Sequence, residues 1–404
     1  MSQRRLRAVH GGRVWHETGF VANQIIALDG GRIATVTSQQ ADSTAPGTLD
    51  ARDGIVIPGL IDWQINGALG WSFQAQHRAH FDAIVDFHRQ RGTTTLVPTL
   101  VTADEATLLE SLRTLAAYLP QAPAATLPGI HLEGPFLAPE KSGAHDPAAL
   151  RHPDLALTRR FLAAAQGTLA VFTLAPELPD APAVIDYVSE QGVIVSAGHS
   201  AADFGAMQRA MAAGLRAVTH AGNASDWPHR APGPLGFMAS EPGVVGTLLA
   251  APELACGVIM DGFHFHPALL RPLVRLKGPD RVTLVSDAST VVGCAPGDYA
   301  SGGLEVTIHA AGFATSGRGG GWLAGSIITL LDAVQRAVTL AGVPLETAVH
   351  MATLGPARLL GLDGRKGAIA PGMDADLLVL NEDLTLRHVI VGGVIGDGPR
   401  IDPP

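Results

Sequence analysis

Short apolar runs alternate with helix-like stretches along most of the chain. The eight apolar runs are Ile55–Ile61, Thr94–Pro98, Pro128–Leu132, Leu169–Leu174, Val193–Ala197, Ala217–Thr219, Cys256–Met260 and Val282–Val285. The helical patterns between them include Phe81–Arg91, Ala106–Tyr118, Ala183–Gln191, Asp203–Ala213 and Pro267–Lys277. Strands that alternate with helices pair in parallel and are buried on both faces. The pattern therefore predicts an α/β protein built on a (β/α)8 TIM-type barrel, with a doubly wound open sheet as the alternative.

Almost every apolar run is followed by a side chain that can bind a metal or transfer a proton. In chain order these residues are Asp62, Gln64 and Asn66, then Glu133, Glu177, His199, His220, Asp261 with His264, and Asp287. A closed barrel gathers the carboxyl ends of its strands at one mouth, where barrel enzymes place their catalytic groups. An open sheet would spread the same groups along an edge. The pattern therefore favours the closed barrel.

Both flanks of the chain have a strand-like pattern that differs from the barrel repeat. The strand-like segments are Arg13–Trp15, Gln24–Leu28, Arg32–Val36, Asp376–Leu380 and Val389–Val391. Neither flank alone is large enough for a stable sheet. We predict one small discontinuous β-sandwich domain from residues 1–56 plus 362–404, with the barrel taking 57–361. The glycine-rich segment 291–322 predicts a hairpin inserted after the eighth strand.

Composition narrows the range of partners. The chain has 404 residues, is 16% charged and 5% aromatic, and carries a formal net charge of −9. Without a basic run or a set of stacking aromatics, nucleic-acid binding is not expected. Two cysteines, Cys256 and Cys294, allow at most one disulfide. The first residues lack the apolar core of a signal peptide and no run is long enough to span a bilayer, so we expect a soluble cytoplasmic protein with no membrane partner.

Glu133, His199 and His220 form a candidate set of metal ligands. A hydrolytic zinc site commonly uses three His or carboxylate ligands and keeps one position open for water. Any one of the 16 histidines is more often a hydrogen-bonded core or surface residue. Three strand ends that supply the same chemistry favour the metal interpretation. The sequence predicts one divalent metal per subunit, with zinc as the first choice and iron, cobalt or manganese also compatible.

Two further features point to the reaction. Asp287 ends the eighth run, where a carboxylate can take a proton from water and return it to a departing amine; the alternative is a helix N-cap. Gln64 and Asn66 stand where many metal hydrolases have His-x-His for a second ion. Amides are poor ligands for a transition metal, so we predict a single metal.

Several segments in the same order resemble a known family. They are Pro58–Asp62, His131–Phe136, Ala197–Ser200, Thr219–His220 with Asn223, Asp261–His264, Asp287–Ala288, Leu323–Ser326, Pro356–Arg358 and Gly367–Asp376. From about residue 54 to 380 the chain resembles the N-acetylglucosamine-6-phosphate deacetylases of the amidohydrolase superfamily. The resemblance implies hydrolysis of the acetamide of N-acetyl-D-glucosamine 6-phosphate. In that family Gln-x-Asn at the first strand accompanies a single metal.

The resemblance also implies roles for individual residues. His145, in a Lys-Ser-Gly-Ala-His segment, would polarise the acetyl carbonyl, beside Asp287 as the proton carrier. The implied substrate-binding residues are Gln64, Asn66, Ala144, His145, Asn223, Ala224, Arg230, His264, Leu323, Ala324 and Gly325. Similar enzymes are homodimers in which the neighbouring subunit can supply the phosphate-binding arginine. The implied partner is a phosphorylated N-acetyl amino sugar.

One loop departs from the family pattern. Ser225–His229 stands where Met-Pro usually follows the Asn-Ala pair, and the loop before Arg230 is one residue shorter. Asp226 in this loop could oppose a phosphate. Alternatives are therefore the same chemistry on N-acetylgalactosamine 6-phosphate or another N-acyl substrate, and a non-catalytic sugar-phosphate sensor. No strand end offers the lysine that hydantoinase-like enzymes carbamylate.

Overall fold

The computed structural model describes residues 4–38, 45–74, 77–122, 125–232, 238–301, 304–317 and 321–396. Predicted positions beyond these ranges, including both ends of the small domain and residues 318–320 of the glycine-rich segment, lie outside the described residues. In the described ranges, no helix combines the length and apolar character needed to cross a membrane.

A parallel barrel forms the centre of the molecule. Its strands are β1 Leu60–Ile65, β2 Thr93–Val101, β3 Ile130–Glu133, β4 Leu169–Leu174, β5 Ile194–Ala197, β6 Leu215–Val218, β7 Ala255–Ile259 and β8 Val282–Val285. Neighbouring strands pair in parallel in chain order from β1 to β8. A parallel bridge between Ile65 and Ala288 joins the end of β1 to the segment after β8. The barrel is nearly closed, and the predicted α/β barrel fold is confirmed.

Helices cover the outside of the barrel. They are α1 Arg78–Arg89, α2 Glu105–Tyr118, α3 Leu155–Ala165, α4 Ala181–Glu190, α5 Phe204–Ala212, α6 Gly243–Ala250, α7 Leu270–Lys277, α8 Leu330–Thr339, α9 Leu345–Ala352 and α10 Leu354–Leu359. The five predicted helical patterns match α1, α2, α4, α5 and α7 to within a few residues at each end. Apolar residues at helical spacing face the barrel; in α2 these are Leu108, Leu112 and Leu115.

The first predicted strand, Ile55–Ile61, is wrong as a single element. Thr48–Pro58 belongs to the outer sheet, where it pairs with Leu377–Leu380, and the barrel strand β1 begins at Leu60. The break falls at Gly59, where an added Cβ would lie 2.1 Å from the Thr94 hydroxyl. An apolar run that is buried in both sheets carries no pattern that marks the change from one sheet to the other.

The flanking strands meet in one mixed sheet of eight strands. They are Arg4–Arg5, Ala8–His16, Gly19–Asp29, Arg32–Thr37, Thr48–Pro58, Leu377–Leu380, Leu386–Val391 and Val394–Ile395. Leu377 and Val379 point into the sheet's own core, whereas Leu378 and Leu380 pack on the barrel. A bridge between Arg32 and Asp374 brings the edge strand towards the other side of the sheet. Segments from both flanks of the chain thus meet in one sheet, which has its own apolar core.

Two antiparallel insertions lie between barrel elements. After β8, the chain forms four strands rather than one hairpin: Gly297–Ser301, Leu304–His309, Phe313–Ser316 and Trp322–Leu323. A second insertion, His229–Pro232 paired with Met238–Glu241, has no alternating apolar pattern and was not predicted. The strands of both insertions are short, with two to six residues each, so period-two hydrophobicity could not reveal every strand.

A buried lysine beside the small sheet gives a stability prediction. Lys366 Nζ lies 2.5 Å from Asp376 Oδ2 and 3.2 Å from Asp374 Oδ2, and its side chain is only 5% exposed. Lys366→Met should lower the free energy of unfolding by about 3–5 kcal/mol, because two carboxylates lose their buried cation. Urea denaturation measures the change.

The neighbouring arginine provides the matched control. Arg365 pairs with the same Asp374 at 3.0 Å, but its side chain is 62% exposed. Arg365→Met should cost less than about 1 kcal/mol, since exposed ion pairs contribute little. Equal effects of the two substitutions would contradict the role assigned to Lys366.

Candidate metal and catalytic site

A cavity of ≈ 570 Å³ opens at the carboxyl ends of the barrel strands. Most of the sequence-predicted site residues line it. They are Asn66, Glu133, Ala144, His145, His199, His220, Asn223, Ala224, His264, Asp287, Leu323, Ala324 and Gly325. Gln64 lies fully buried behind the wall, and Arg230 lies elsewhere on the surface. The barrel therefore brings together segments that are far apart in sequence.

Three histidines surround one oxygen of Glu133. The Nε2 atoms of His220, His199 and His145 lie 2.9, 3.4 and 4.0 Å from Glu133 Oε1. All four side chains are nearly inaccessible to solvent. Ligand atoms of Glu133, His145 and His199 lie within 4.8 Å of one another, which is close enough to share an ion. Distance alone therefore leaves open which two imidazoles accompany the carboxylate.

The hydrogen bonds made by the Nδ1 atoms of His199 and His145 distinguish a possible metal ligand from a hydrogen-bond donor. His199 Nδ1 lies 2.8 Å from the Lys141 carbonyl oxygen, which can only accept, so Nδ1 carries the proton. Nε2 of the neutral ring then presents a lone pair towards Glu133. A lone pair and a carboxylate oxygen that face each other at 3.4 Å suit a shared cation.

His145 has the opposite arrangement. The backbone N–H of Thr102 donates to His145 Nδ1 at 3.3 Å, so the proton of the neutral ring is on Nε2. Burial, with a contribution from His199, lowers the pKa of His145 to about 3, which keeps the ring neutral. An Nε2–H aimed into the cavity is a hydrogen-bond donor and not a ligand. We therefore favour His220 over His145 as the third ligand. Thr102 carries no sequence signal for this contact.

His220 completes the donor set through its contact with Glu133. Burial alone would lower the pKa of His220, but the hydrogen bond and the charge of Glu133 outweigh it and raise the pKa to about 9. The pKa of Glu133 is correspondingly held well below its usual range despite its burial. The carboxylate thus favours a positive charge at this point. One carboxylate and two imidazoles are ligands that fit a single divalent transition metal.

Asp287 lies beside the cluster and is oriented by an amide. Asn66 Nδ2 donates to Asp287 Oδ1 at 2.7 Å, and Gln64 Nε2 donates to Glu133 Oε2 at 3.3 Å. Burial and the charge of Glu133 raise the pKa of Asp287 to about 6. The oxygens Gln64 Oε1 and Asn66 Oδ1 are buried without a hydrogen-bond partner among the described residues. The two amides therefore hold the two carboxylates, and Asn66 also faces the cavity.

The backbone turns sharply where the key side chains enter the mouth. His199, His220 and Asp287 have φ angles of 50°, 29° and 46°, in the left-handed region that non-glycine residues rarely adopt. Such conformations persist where the surrounding structure over-determines them, and they cluster at functional sites. The turn at each strand end aims the side chain across the barrel axis. Sequence patterns gave no sign of this strain.

His264 also lines the cavity, and a buried carboxylate holds its ring. His264 Nδ1 lies 2.6 Å from Asp261 Oδ2, and Asp261 Oδ1 also accepts the backbone N–H groups of Phe263 and His264. Asp226, which we expected to oppose a phosphate, forms an ion pair with Lys141. Because it pairs with Lys141, which lines the cavity, Asp226 does not leave an unpaired negative charge near the cavity.

Arg230 is the one predicted contact that stands apart. It lies on the strand His229–Pro232, and its guanidinium donates to the Met238 carbonyl at 3.3 Å in an exposed position. It does not line the cavity of its own chain.

Comparison with known proteins identifies the family to which the chain belongs. The model of the amidohydrolase family matches residues 55–396, which is most of the chain. The chain belongs to the amidohydrolase family. The resemblance noted from sequence motifs is thereby confirmed, and with it the assignment as an enzyme. Amidohydrolases are generally metal-dependent, which agrees with a buried group of Glu and His side chains that could hold a metal ion.

Curated relatives of this amidohydrolase carry two names. N-acetylglucosamine-6-phosphate deacetylase of Danio rerio is 35% identical over 355 residues, which is 85% of each chain. N-acetylgalactosamine-6-phosphate deacetylase of Escherichia coli O157:H7 is 32% identical over 383 residues, covering 94% of this chain and 97% of the relative. Among solved structures, N-acetyl-D-glucosamine-6-phosphate deacetylase of Mycobacterium smegmatis in complex with N-acetyl-D-glucosamine-6-phosphate has a TM-score of 0.87 and 31% identity, covering 97% and 99% of the two chains.

Proposed function

We propose that this amidohydrolase hydrolyses the acetamide of N-acetyl-D-glucosamine 6-phosphate to glucosamine 6-phosphate and acetate, with one divalent metal per subunit. The observation that carries the proposal is the convergence of Glu133, His199 and His220 next to a proton carrier, Asp287, and a hydrogen-bond donor, His145. Relatives named for this activity cover nearly the whole chain. Zinc is the first candidate for the metal, and iron, cobalt and manganese suit the same ligands.

The metal would be held by the carboxylate of Glu133 and the Nε2 atoms of His199 and His220. When bound, it supplies Lewis-acid chemistry and makes a nearby water molecule more acidic. His145 binds the acetyl oxygen through Nε2–H, which stabilises the charge that develops there in the transition state. Because Thr102 fixes the tautomer, this donor is in place before the substrate arrives.

Asp287 moves the proton. Its carboxylate accepts a proton from the attacking water, and the resulting carboxylic acid donates that proton to the amide nitrogen as the C–N bond breaks. An amine leaves poorly as an anion, so the second transfer is as necessary as the first. The burial that raises the pKa of Asp287 to about 6 makes the carboxyl an effective acid as well as a base near neutral pH.

The sugar phosphate would lie at the opposite wall. His264, positioned by Asp261, and the Asn223–Ala224 turn face the cavity there. The backbone of Leu323–Gly325, with Ala144 nearby, lines the sugar side. We propose that a second copy of the chain supplies Arg230 and that the enzyme is a cytoplasmic homodimer. The exposed position of Arg230, outside its own cavity, supports this arrangement.

Removal of Arg230 should weaken binding of phosphorylated substrate. Arg230→Ala should raise KM for the 6-phosphate by about 10–100-fold, since charge-assisted bonds contribute about 1.5–3 kcal/mol. Turnover of unphosphorylated N-acetylglucosamine should stay the same. Steady-state assays on both sugars measure the effect, with Arg209→Ala, on the barrel helix α5, as the control.

The galactosamine epimer is the second candidate substrate. The 32% identity to an N-acetylgalactosamine-6-phosphate deacetylase, over 94% of this chain, supports this candidate. Acetate release from both 6-phosphates and from both free sugars, with metal counted per chain, tests the proposal. Higher kcat/KM for the galactosamine epimer would reassign the substrate, and no release from any of the four would overturn the deacetylase proposal.

A further inference from the structure

Four polar side chains form a continuous hydrogen-bonded chain across the inside of the barrel, one layer below the metal site. Ser196 Oγ lies 2.7 Å from Thr219 Oγ1, which lies 2.7 Å from Thr173 Oγ1. Thr173 Oγ1 lies 2.8 Å from His131 Nε2, and His131 Nδ1 lies 3.2 Å from the Trp63 carbonyl oxygen. All four side chains are fully buried. We call these four residues the hydroxyl chain.

The hydroxyl chain connects the strands that carry the proposed ligands. Its members on β3, on β5 and at the end of β6 precede Glu133, His199 and His220 by two, three and one residues. Thr173, on β4, joins the β3 member to the β6 member. The chain therefore ties together the three strand ends whose spacing decides whether a metal fits.

The donors and acceptors permit one arrangement of protons. The Trp63 carbonyl can only accept, so His131 Nδ1 donates to it. In the neutral ring Nε2 must then accept, which takes the hydroxyl proton of Thr173. Thr173 accepts from Thr219, and Thr219 accepts from Ser196. Every hydroxyl proton is used in the same direction, so loss of one member leaves its neighbours unpaired.

Other parts of the barrel interior hold apolar side chains together with separate polar groups, such as Thr283 on β8. Apolar side chains occupy equivalent inward positions on other strands, among them Val97 on β2, Ile259 on β7 and Val285 on β8. Branched apolar residues are the usual filling of such barrels. The hydroxyl chain differs from these groups because its members bond to one another across the side of the barrel that carries the proposed ligands.

We propose that the hydroxyl chain is a positioning device that sets the metal affinity without contacting the metal. Metal sites require ligand positions accurate to a few tenths of an ångström, and partners behind the ligands commonly change affinity about 10–100-fold. Hydrogen bonds in series polarise and stiffen one another. The inference rests on the proposed metal site and adds four residues that no ligand motif includes.

Thr173→Val tests the proposal in the full-length protein. Valine keeps the shape but removes the donor to His131 and the acceptor for Thr219. The dissociation constant for Zn²⁺, measured by titration of metal-free protein, should rise about 10–100-fold. Thr173→Ser, which restores the hydroxyl, should return it close to the wild-type value. The ¹⁵N resonances of the His131 ring should shift in the valine variant and return in the serine variant.

Thr283→Val is the matched control. Thr283 is another buried barrel hydroxyl, which accepts from Trp63 Nε1 at 2.9 Å and donates to the Cys256 carbonyl at 2.9 Å, outside the hydroxyl chain. The Thr283→Val protein should be less stable than the wild type but should bind zinc with the same affinity. Wild-type affinity in Thr173→Val, or an equal loss in Thr283→Val, would overturn the proposal.

A second substitution, Ser196→Ala, tests the proposal if Thr173→Val does not fold. Ser196→Ala removes only the first donor of the hydroxyl chain. Its zinc affinity should therefore fall, but by less than in a variant that lacks the central hydroxyl of Thr173. Unchanged zinc affinity in Ser196→Ala would again overturn the proposal. If the wild-type protein itself binds no divalent metal, the proposed function fails first, and the two failures remain distinct.

Discussion

Asp287→Asn should reduce kcat for acetate release by about 10²–10⁴-fold while leaving the metal bound. The amide keeps the size of the carboxyl and can still accept from Asn66 Nδ2, which lies 2.7 Å from Asp287 Oδ1. It cannot take a proton from water or return one to the leaving nitrogen. Rate measurement together with metal content by mass spectrometry separates lost chemistry from lost metal.

The pH dependence of activity provides a second test of the Asp287→Asn variant. A general base must be ionised, so wild-type activity should fall as the pH drops through the pKa of Asp287, which burial and Glu133 raise to about 6. A cation nearby favours the ionised form and would move this limb to lower pH. The limb should vanish in the variant. Asp146→Asn, at a partly exposed carboxylate on the cavity rim, should retain it. Turnover of Asp287→Asn near the wild-type level would refute the assignment.

Glu133→Gln should lower metal affinity by more than about 100-fold, beyond the effect of losing a supporting hydrogen bond. Among the residues that the structure describes, Glu133 is the one buried carboxylate that forms ion pairs with both His199 and His220, so the substitution removes the negative charge of the ligand set. The pKa of His220, which Glu133 raises to about 9, should fall in the metal-free variant. Competition with a coloured chelator and histidine NMR titration measure the two effects.

A carboxylate in the same cavity controls for charge. Glu140 lines the cavity but contacts none of the three histidines, so Glu140→Gln should bind metal as the wild type does. Full metal occupancy in Glu133→Gln would remove the carboxylate from the ligand set. Treatment of the wild type with a chelator should abolish acetate release, and zinc should restore it.

Much of this architecture could be predicted from sequence because the barrel repeats one physical unit. Continuous apolar runs separated by helical patterns identified the parallel strands, and polar residues at their ends identified the mouth. Glu133, His199, His220 and Asp287 were found by that positional rule alone, and the structure brings them to one cavity. The catalytic and binding roles assigned to them await the experiments above.

Other features depend on contacts that no local pattern records. The apolar run changes from one sheet to the other at Gly59. The sequence does not mark this change, because the residues on both sides of Gly59 are equally buried. The roles of His145 and His199 follow from a backbone N–H and a carbonyl that reach the two rings from 43 and 58 residues away. The paired state of Asp226 likewise required Lys141, which lies 85 positions earlier.

The sequence by itself determined most of the barrel strands, several of the helices between them and which polar groups the strand ends present, since these follow from the spacing of apolar residues along the chain. Only the tertiary structure decided which backbone groups bond to the rings of His145 and His199, which carboxylate each amide restrains, and that Arg230 lies outside its own cavity. Those outcomes depend on distances of a few ångströms between segments far apart in the chain, and hydrophobic spacing carries no information about such distances.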